Sequence, residues 1–321
     1  MSKKMNLKHI LLIAGAVLLG AVQVDAQGQN LSIFTANPDA RTAAMGNASA
    51  AAEGLYLYNN PSAFLTTDKK LTSDVAASLY AKETGIDGTF GLYTATVGYR
   101  LATRHAAFAG FRYAGGLKLK GFDLLGNPTK DYLPYDWTID LGYAYQMGKG
   151  FAAYAIGSVI FSHLSKNATC GAFTLGASYQ NRAVSIAEKS AHLVLDVKVG
   201  AIGPRLDYGN GSKASMPTHV AVGGALSVDV ADRHQVGTAL STRYFFQPSD
   251  SKVFMLGGGL EYTYNKSVAL RAGYEYGDHQ LSHFTMGAGI QCHGFRLNAG
   301  YLLKTTDQGS NYCTIGLGYD F

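Results

Sequence analysis

Two acid–histidine pairs, Asp278-His279 and Asp232-Arg233-His234, are the groups in this 321-residue chain best suited to moving a proton. A carboxylate beside an imidazole supports general acid–base work, as in hydrolases displayed on a barrel. Both pairs fall in expected turns, where Asp is favoured because its side chain hydrogen-bonds nearby backbone. No HExxH, GxSxG or phosphate-binding loop accompanies them. Cys170, Cys292 and Cys313 are odd in number and widely spaced, which suits neither a disulfide framework nor zinc. The expectation is a non-enzyme that uses no metal and no cofactor.

A second set of charged residues sits in a different setting. Asp140, Asp196, Lys198, Arg243, Glu261, Arg271, Glu275 and Arg296 stand singly among Gly, Ala, Ser and Thr. Each lies in a stretch of period-two alternation. In WTIDLGYAYQM, Trp137, Ile139, Leu141, Tyr143, Tyr145 and Met147 share one face, while Asp140 sits with Thr138, Gly142 and Ala144 on the other. SVALRAGYEYG puts Arg271 and Glu275 opposite Val268, Leu270, Ala272, Tyr274 and Tyr276. GFRLNAGYLLK puts Arg296 opposite Phe295, Leu297, Ala299, Tyr301 and Leu303. Such patterns predict half-apolar strands. Opposite charges on a shared face, such as Arg271 and Glu275 or Glu261 and Arg296, read as ion pairs that brace a wall rather than as a substrate track.

Three features separate these strands from those of a soluble sandwich. Their length matches the ~9–11 residues of a membrane-crossing strand rather than the ~5–6 of soluble sheets. The polar face is poor in Lys and Glu, and only 15% of the chain is charged, against about 25% in a soluble domain. Tyr and Phe gather near strand ends, at Tyr143/Tyr145, Tyr262/Tyr264, Tyr274/Tyr276 and Tyr244/Phe246, like the aromatic girdles of membrane barrels. The strands expected are 71–81, 86–101, 104–115, 134–147, 150–163, 169–180, 192–203, 216–230, 233–246, 253–265, 267–277, 281–292, 295–304 and 311–321. The segment 181–191 reads as a turn or loop, and 116–133 and 204–215 as the longer loops. The fold expected is an all-β, transmembrane antiparallel β-barrel of about 14 strands.

The ends of the chain add a targeting expectation. Lys3, Lys4 and Lys8 precede an apolar run from Ile10 to Val22, and Val24-Asp25-Ala26 closes with a small residue. This is the pattern of a secretory signal peptide, residues 1–26, cleaved near Ala26. Its loss removes three Lys and one Asp, so the net charge of +5 falls by two. That balance argues against a nucleic-acid partner. The last strand, NYCTIGLGYDF, ends with Tyr319 and Phe321 on its apolar face. It resembles the terminal signal that barrel-assembly machinery reads in outer-membrane proteins. The expected location is therefore the outer membrane of a Gram-negative cell, with outer-membrane lipid and that machinery as partners. A barrel of this size encloses more space than small side chains fill. Residues 27–70, Ala-rich and poor in strand character, are expected to fold inward as a hatch, and 71–321 to form the wall.

Two stretches of the expected hatch carry a family resemblance. PDARTAAMGNASAA (38–51) and YNNPSAF (58–64) resemble the N-terminus of the PorV/PorQ family of Bacteroidetes outer-membrane barrels, itself FadL-like. Pro38, Asp39, Ala40, Arg41, Met45 and Gly46 match the first stretch; Asn60 and Pro61 match the core of the second. AIGPRLDYGNGSKASMPTHVAVGGAL (201–226) and the Ala269–Tyr274 stretch are similar to later family segments. Asn59 stands where the family usually has Trp or Phe, and Ser62 where it has Ala. The resemblance implies a non-enzymatic subunit of type IX protein secretion, closer to PorV, that binds secretion-complex proteins or the C-terminal domains of cargo. The alternative is a FadL-like channel for hydrophobic small molecules.

Overall fold

A computed structural model describes residues 31–321, apart from 51, 83–85, 122–126, 149, 165, 187, 210, 250, 279–280 and 307–308. The expected signal peptide lies outside the described residues. Sixteen strands run β1 (Leu71–Tyr80), β2 (Asp87–Ala102), β3 (His105–Lys118), β4 (Tyr135–Gly148), β5 (Phe151–His163), β6 (Asn167–Ile186), β7 (Lys189–Ile202), β8 (Leu206–Asp207), β9 (Lys213–Ala214), β10 (His219–Ala231), β11 (His234–Phe245), β12 (Val253–Tyr264), β13 (Val268–Gly277), β14 (His283–Cys292), β15 (Phe295–Lys304) and β16 (Tyr312–Asp320). Fourteen of them close into one antiparallel barrel, and β8 and β9 form a separate two-stranded ribbon. Ahead of the barrel come α1 (Ser32–Thr35), α2 (Ala40–Ala43) and a 3₁₀ turn over Pro61–Thr66.

The alternation read from sequence is inside-out relative to a soluble sheet. On β4, Thr138, Asp140, Gly142 and Ala144 are buried while Ile139, Leu141, Tyr143 and Tyr145 are exposed, Leu141 by 64%. The same holds around the wall, with Leu260 at 62% and Phe173 at 62%. Water would not tolerate so large an apolar surface, whereas hydrocarbon requires it. Hydrocarbon also requires that no strand edge be left open. The pairing of β1 with β16, from Thr72 opposite Asp320 to Tyr80 opposite Tyr312, closes the last one.

The expected strands match in number and lie within a few residues of those observed, with one correction. The segment 181–191 is not a loop: β6 continues to Ile186 and β7 begins at Lys189. The ladder between them slips between Asn181 and Val184. A bulge of this kind breaks the two-residue period that marks a strand in sequence. The loop expected at 204–215 holds the β8–β9 ribbon.

The two ends of the barrel differ. Connections of two or three residues join β2–β3, β4–β5, β6–β7, β12–β13, β10–β11 and β14–β15, at the end where β1 begins and β16 finishes. The long connections, 119–134 and 203–218, lie at the opposite end. Bacterial membrane barrels show this asymmetry, with short turns toward the periplasm and long loops outside.

If the wall faces hydrocarbon, Leu141→Arg and Leu260→Arg each lower the unfolding free energy in lipid vesicles by about 2–4 kcal/mol. Changes held within about 0.5 kcal/mol, as at a water-facing surface, would contradict it.

Candidate functional site

The described residues among 31–70 lie in the barrel lumen and are largely buried. These residues lack periodicity because their polar groups are satisfied one by one rather than by a ladder. Asp39 caps α2, accepting from the backbone N–H groups of Arg41 (3.3 Å) and Thr42 (3.2 Å). Asn59 donates to the same carboxylate at 3.0 Å. Asn60 caps the 3₁₀ turn, accepting from the Ser62 N–H at 3.1 Å, and donates to the Ala50 carbonyl at 3.4 Å. Pro61 sits at the first position of that turn, where its missing N–H costs nothing. The two stretches that carry the family resemblance are therefore bonded to each other.

Four ion-pair clusters, beside single bonds such as Lys198 to the Asn59 carbonyl at 2.9 Å, bind this segment to the wall. Arg41 makes a two-pronged contact to Glu261 on β12, Nε to Oε2 at 2.9 Å and a terminal nitrogen to Oε1 at 2.7 Å. Arg271, directly opposite on β13, holds the same carboxylate at 2.5 Å and donates to Asn298 at 2.9 Å. In the second cluster, Asn47 donates to Glu275 at 2.7 Å, and Arg243 bridges Glu275 (2.5 Å) to the Thr35 carbonyl (3.1 Å). In the third, Asp74 accepts from the Leu55 N–H at 3.0 Å and from Arg296 at 2.8 Å, and Arg296 also bonds Asp320. In the fourth, Asp140 takes the Tyr58 hydroxyl (2.8 Å) and Arg112 (2.9 Å), and Arg112 reaches the Ile33 carbonyl at 2.8 Å. Burial holds the Tyr58 phenol above its ordinary range, so it remains a neutral donor.

Of the eight charges read on the inward face, Asp140, Arg243, Glu261, Arg271, Glu275 and Arg296 each belong to one of these clusters, while Asp196 accepts from the Tyr154 hydroxyl at 3.1 Å and Lys198 donates to the Asn59 carbonyl at 2.9 Å. Their partners differ from the expected ones. Arg271 pairs with Glu261 rather than Glu275, and Arg296 with Asp74 and Asp320 rather than Glu261. Asp74, Arg112 and Asp320 were missed, although each shares the inward parity of its strand. Asn47 and Tyr58 carried no periodic signal at all.

Met45 and Gly46 mark where the segment lies flattest against the wall. Gly46 has φ +66°, and a Cβ there would sit 2.4 Å from the Tyr274 carbonyl oxygen. Opposite it the inward positions of β12 and β13 are Gly257, Gly259 and Gly273, and a Cβ on Gly257 would lie 1.7 Å from the Gly46 oxygen. The Gly46 N–H donates to Thr285 at 3.0 Å, and Thr285 donates to the Ala44 carbonyl at 2.9 Å. A floor of glycines thus lets backbone meet backbone.

Small cavities flank the segment. One of about 80 Å³ on the short-turn side is lined by Arg41, Glu53, Gln180, His192 and Glu261. One of about 90 Å³ on the long-loop side is lined by Tyr58, Arg112, Lys198, His219 and Arg243. Above the second, toward the long loops, Leu31, Ile33, Phe90, Ile160, Leu206, Tyr208, Met216 and Tyr312 form a buried apolar cluster.

Of the two acid–histidine pairs only Asp232/His234 is fully described, and its members do not bond each other. His279 lies outside the described residues, and Asp278 accepts from the Phe254 N–H at 2.9 Å. His234 bonds the Tyr262 hydroxyl at 2.7 Å rather than Asp232. Among the described residues, no group of three His, Cys, Asp or Glu side chains could hold a metal ion. At the terminal strand, Tyr319 packs beside Phe295 with ring centroids 4.7 Å apart, and Phe321 is 70% exposed.

No protein-family model matches the chain, and no curated protein matches it in sequence. Solved structures do match in fold. The toluene transporter TbuX of Ralstonia pickettii aligns over 87% of this chain and 97% of its own, with TM-score 0.60 at 12% identity. The Pseudomonas putida toluene transporter TodX aligns over 87% and 96%, with TM-score 0.58 at 13% identity. A Pseudomonas aeruginosa FadL homologue aligns over 88% and 98%, with TM-score 0.50 at 12% identity. The likeness is one of fold: a closed, 14-stranded barrel of FadL and TodX type.

Glu261→Ala would leave Arg41 and Arg271 facing each other without their shared carboxylate, at a cost of about 3–5 kcal/mol. The expected result is higher ion conductance in planar bilayers and protease access to 31–70, with the barrel still resistant to SDS before heating. Unchanged conductance and an unchanged digest would contradict the anchoring role.

Proposed function

We propose that this protein is an outer-membrane channel for a hydrophobic small molecule, with residues 27–70 as its hatch and 71–321 as its wall. The observation that carries this reading is the apolar cluster at the long-loop mouth. It includes Leu31 and Ile33 of the hatch together with Leu206, Tyr208 and Met216 of the folded-back loop. An apolar solute entering from the long-loop side would meet apolar side chains first and the charged anchors only beneath them. A polar solute would meet the reverse of what it needs. The fold shared with two toluene transporters supports the same reading and suggests a monoaromatic or similarly sized hydrocarbon as a first probe.

The chemistry asked of the protein is desolvation and passage, with no bond made or broken. The hatch anchors are polar and balanced in charge, so they hold the segment without attracting an ion of either sign. Displacing one anchor exposes another buried charge, which favours a few discrete hatch positions over gradual loosening. The expected location in the outer membrane, reached through a cleaved signal peptide, belongs to this proposal.

A second reading rests on a different observation. The order of the PorV-like stretches along the chain favours a partner-binding barrel of type IX secretion, in a Bacteroidetes-like cell, engaging secretion-complex proteins or cargo C-terminal domains. Pull-down of the tagged protein from outer membranes separates the two: stable envelope partners favour secretion.

Uptake of radiolabelled toluene into cells lacking other hydrocarbon channels tests the first reading. The wild-type protein is expected to raise uptake. Ile33→Asp, which puts a charge in the apolar mouth, is expected to return it to background while the barrel still assembles. Equal uptake with and without the protein would overturn the channel proposal.

A further inference from the structure

The same short motif occurs twice at the short-turn end. Ala102-Thr103-Arg104-His105 joins β2 to β3, and Ala231-Asp232-Arg233-His234 joins β10 to β11. The ladders there slip at matching places, between Arg100 and Ala102 and between Asp229 and Ala231. Each histidine lies opposite the second tyrosine of a Tyr-x-Tyr pair on the following strand: His105 opposite Tyr145, His234 opposite Tyr264. Each bonds the first tyrosine through Nδ1, to Tyr143 at 2.5 Å and to Tyr262 at 2.7 Å. The rings also pack, His105 with Tyr145 at 4.9 Å and His234 with Tyr264 at 5.3 Å between centroids.

These tyrosines are exposed on the outer face, where a membrane barrel carries its interfacial girdle. The Arg-His dipeptide sits one step beyond them, at head-group depth. Arg104 and Arg233 are exposed, and neither guanidinium makes a hydrogen bond or ion pair among the described residues. Whichever way the Tyr–His proton points, one donor of the pair, imidazole N–H or phenol O–H, is left over for another acceptor. An exposed guanidinium near such a spare donor matches a phosphodiester, which takes Arg two-pronged and a further donor on a free oxygen. The two copies lie on nearly opposite sides of the ring, separated by six strand positions one way and eight the other.

We propose that the two Arg-His turns are paired binding sites for the phosphate of an anionic glycerophospholipid in the periplasmic leaflet, seating the barrel level in the membrane. This rests on the barrel spanning the outer membrane with its short turns inward, but not on what passes through it.

The test uses the full-length protein in detergent, titrated with dioleoyl phosphatidylglycerol and read by native mass spectrometry. Two tightly held lipids are expected. Arg104→Gln and Arg233→Gln each weaken one by about fivefold, and the double variant weakens both. Lys266→Gln, in a short turn without the His–Tyr pair, changes nothing. Equal lipid retention by the double variant, or equal loss in Lys266→Gln, overturns the proposal. So does inorganic phosphate alone displacing the lipid stoichiometrically, which would mark a free-phosphate site. Toluene uptake is expected to be the same in all these variants, so failure here is distinguishable from failure of the channel reading.

Discussion

Closure of the wall governs everything else in this molecule. In hydrocarbon an unpaired amide costs several kcal/mol, so β1 must find β16 and each strand must pair on both sides. Once the outer face is committed to Leu, Val, Phe and Tyr, a charged side chain in the middle of a wall strand has only the lumen to occupy. There it loses most of its water and needs a partner. The wall supplies some partners by itself, as Arg271 opposite Glu261 shows. The remainder come from residues 31–70, whose Arg41, Asn47, Leu55 and Tyr58 complete Glu261, Glu275, Asp74 and Asp140. The lumen charges and the segment that fills the lumen are thus two halves of one polar network.

Glycine makes the fit geometrically feasible. Arg243 on β11 reaches Glu275 on β13 across the inward face of β12, where Gly257 lies opposite Glu275 and offers no side chain. The same bare positions receive the turn at Met45-Gly46. A residue with a side chain at Gly257 would block both the cross-wall ion pair and the seating of the turn.

Much of the wall was legible in sequence because a strand with one apolar face writes its period directly into residue order. The period also placed Asp140, Arg243, Glu261, Arg271, Glu275 and Arg296 on the inward face. It did not say which charges meet, because partners depend on the stagger between strands. Arg271 and Glu275 lie near each other in sequence, yet each turns to a different strand. The bulge after Asn181 hid the ends of β6 and β7. Residues 31–70 have no period, so Asn47 and Tyr58 could not be singled out. Asp39, Arg41 and Asn60 stand out in the sequence only through a resemblance to a known N-terminal pattern, and the bond from Asn59 to Asp39 that ties the two stretches together is a property of the fold. The Asp232-Arg233-His234 stretch was read as a turn rather than a catalytic pair, and the turn that holds His234 uses it to bind the Tyr262 hydroxyl.

In the proposed channel the N-terminal segment acts as a hatch whose movement opens the lumen. A Cβ built on Gly316 of β16 would lie 3.9 Å from the Cβ of Ala40 in α2, close to the separation a disulfide prefers. An Ala40→Cys, Gly316→Cys variant, with Cys170, Cys292 and Cys313 changed to Ser, allows the segment to be locked and released in one preparation. Hydrocarbon flux into liposomes measured before and after reduction is the most direct test. The account predicts little flux in the oxidised protein and recovery on reduction. Equal flux in the two states, with the crosslink verified, would contradict it.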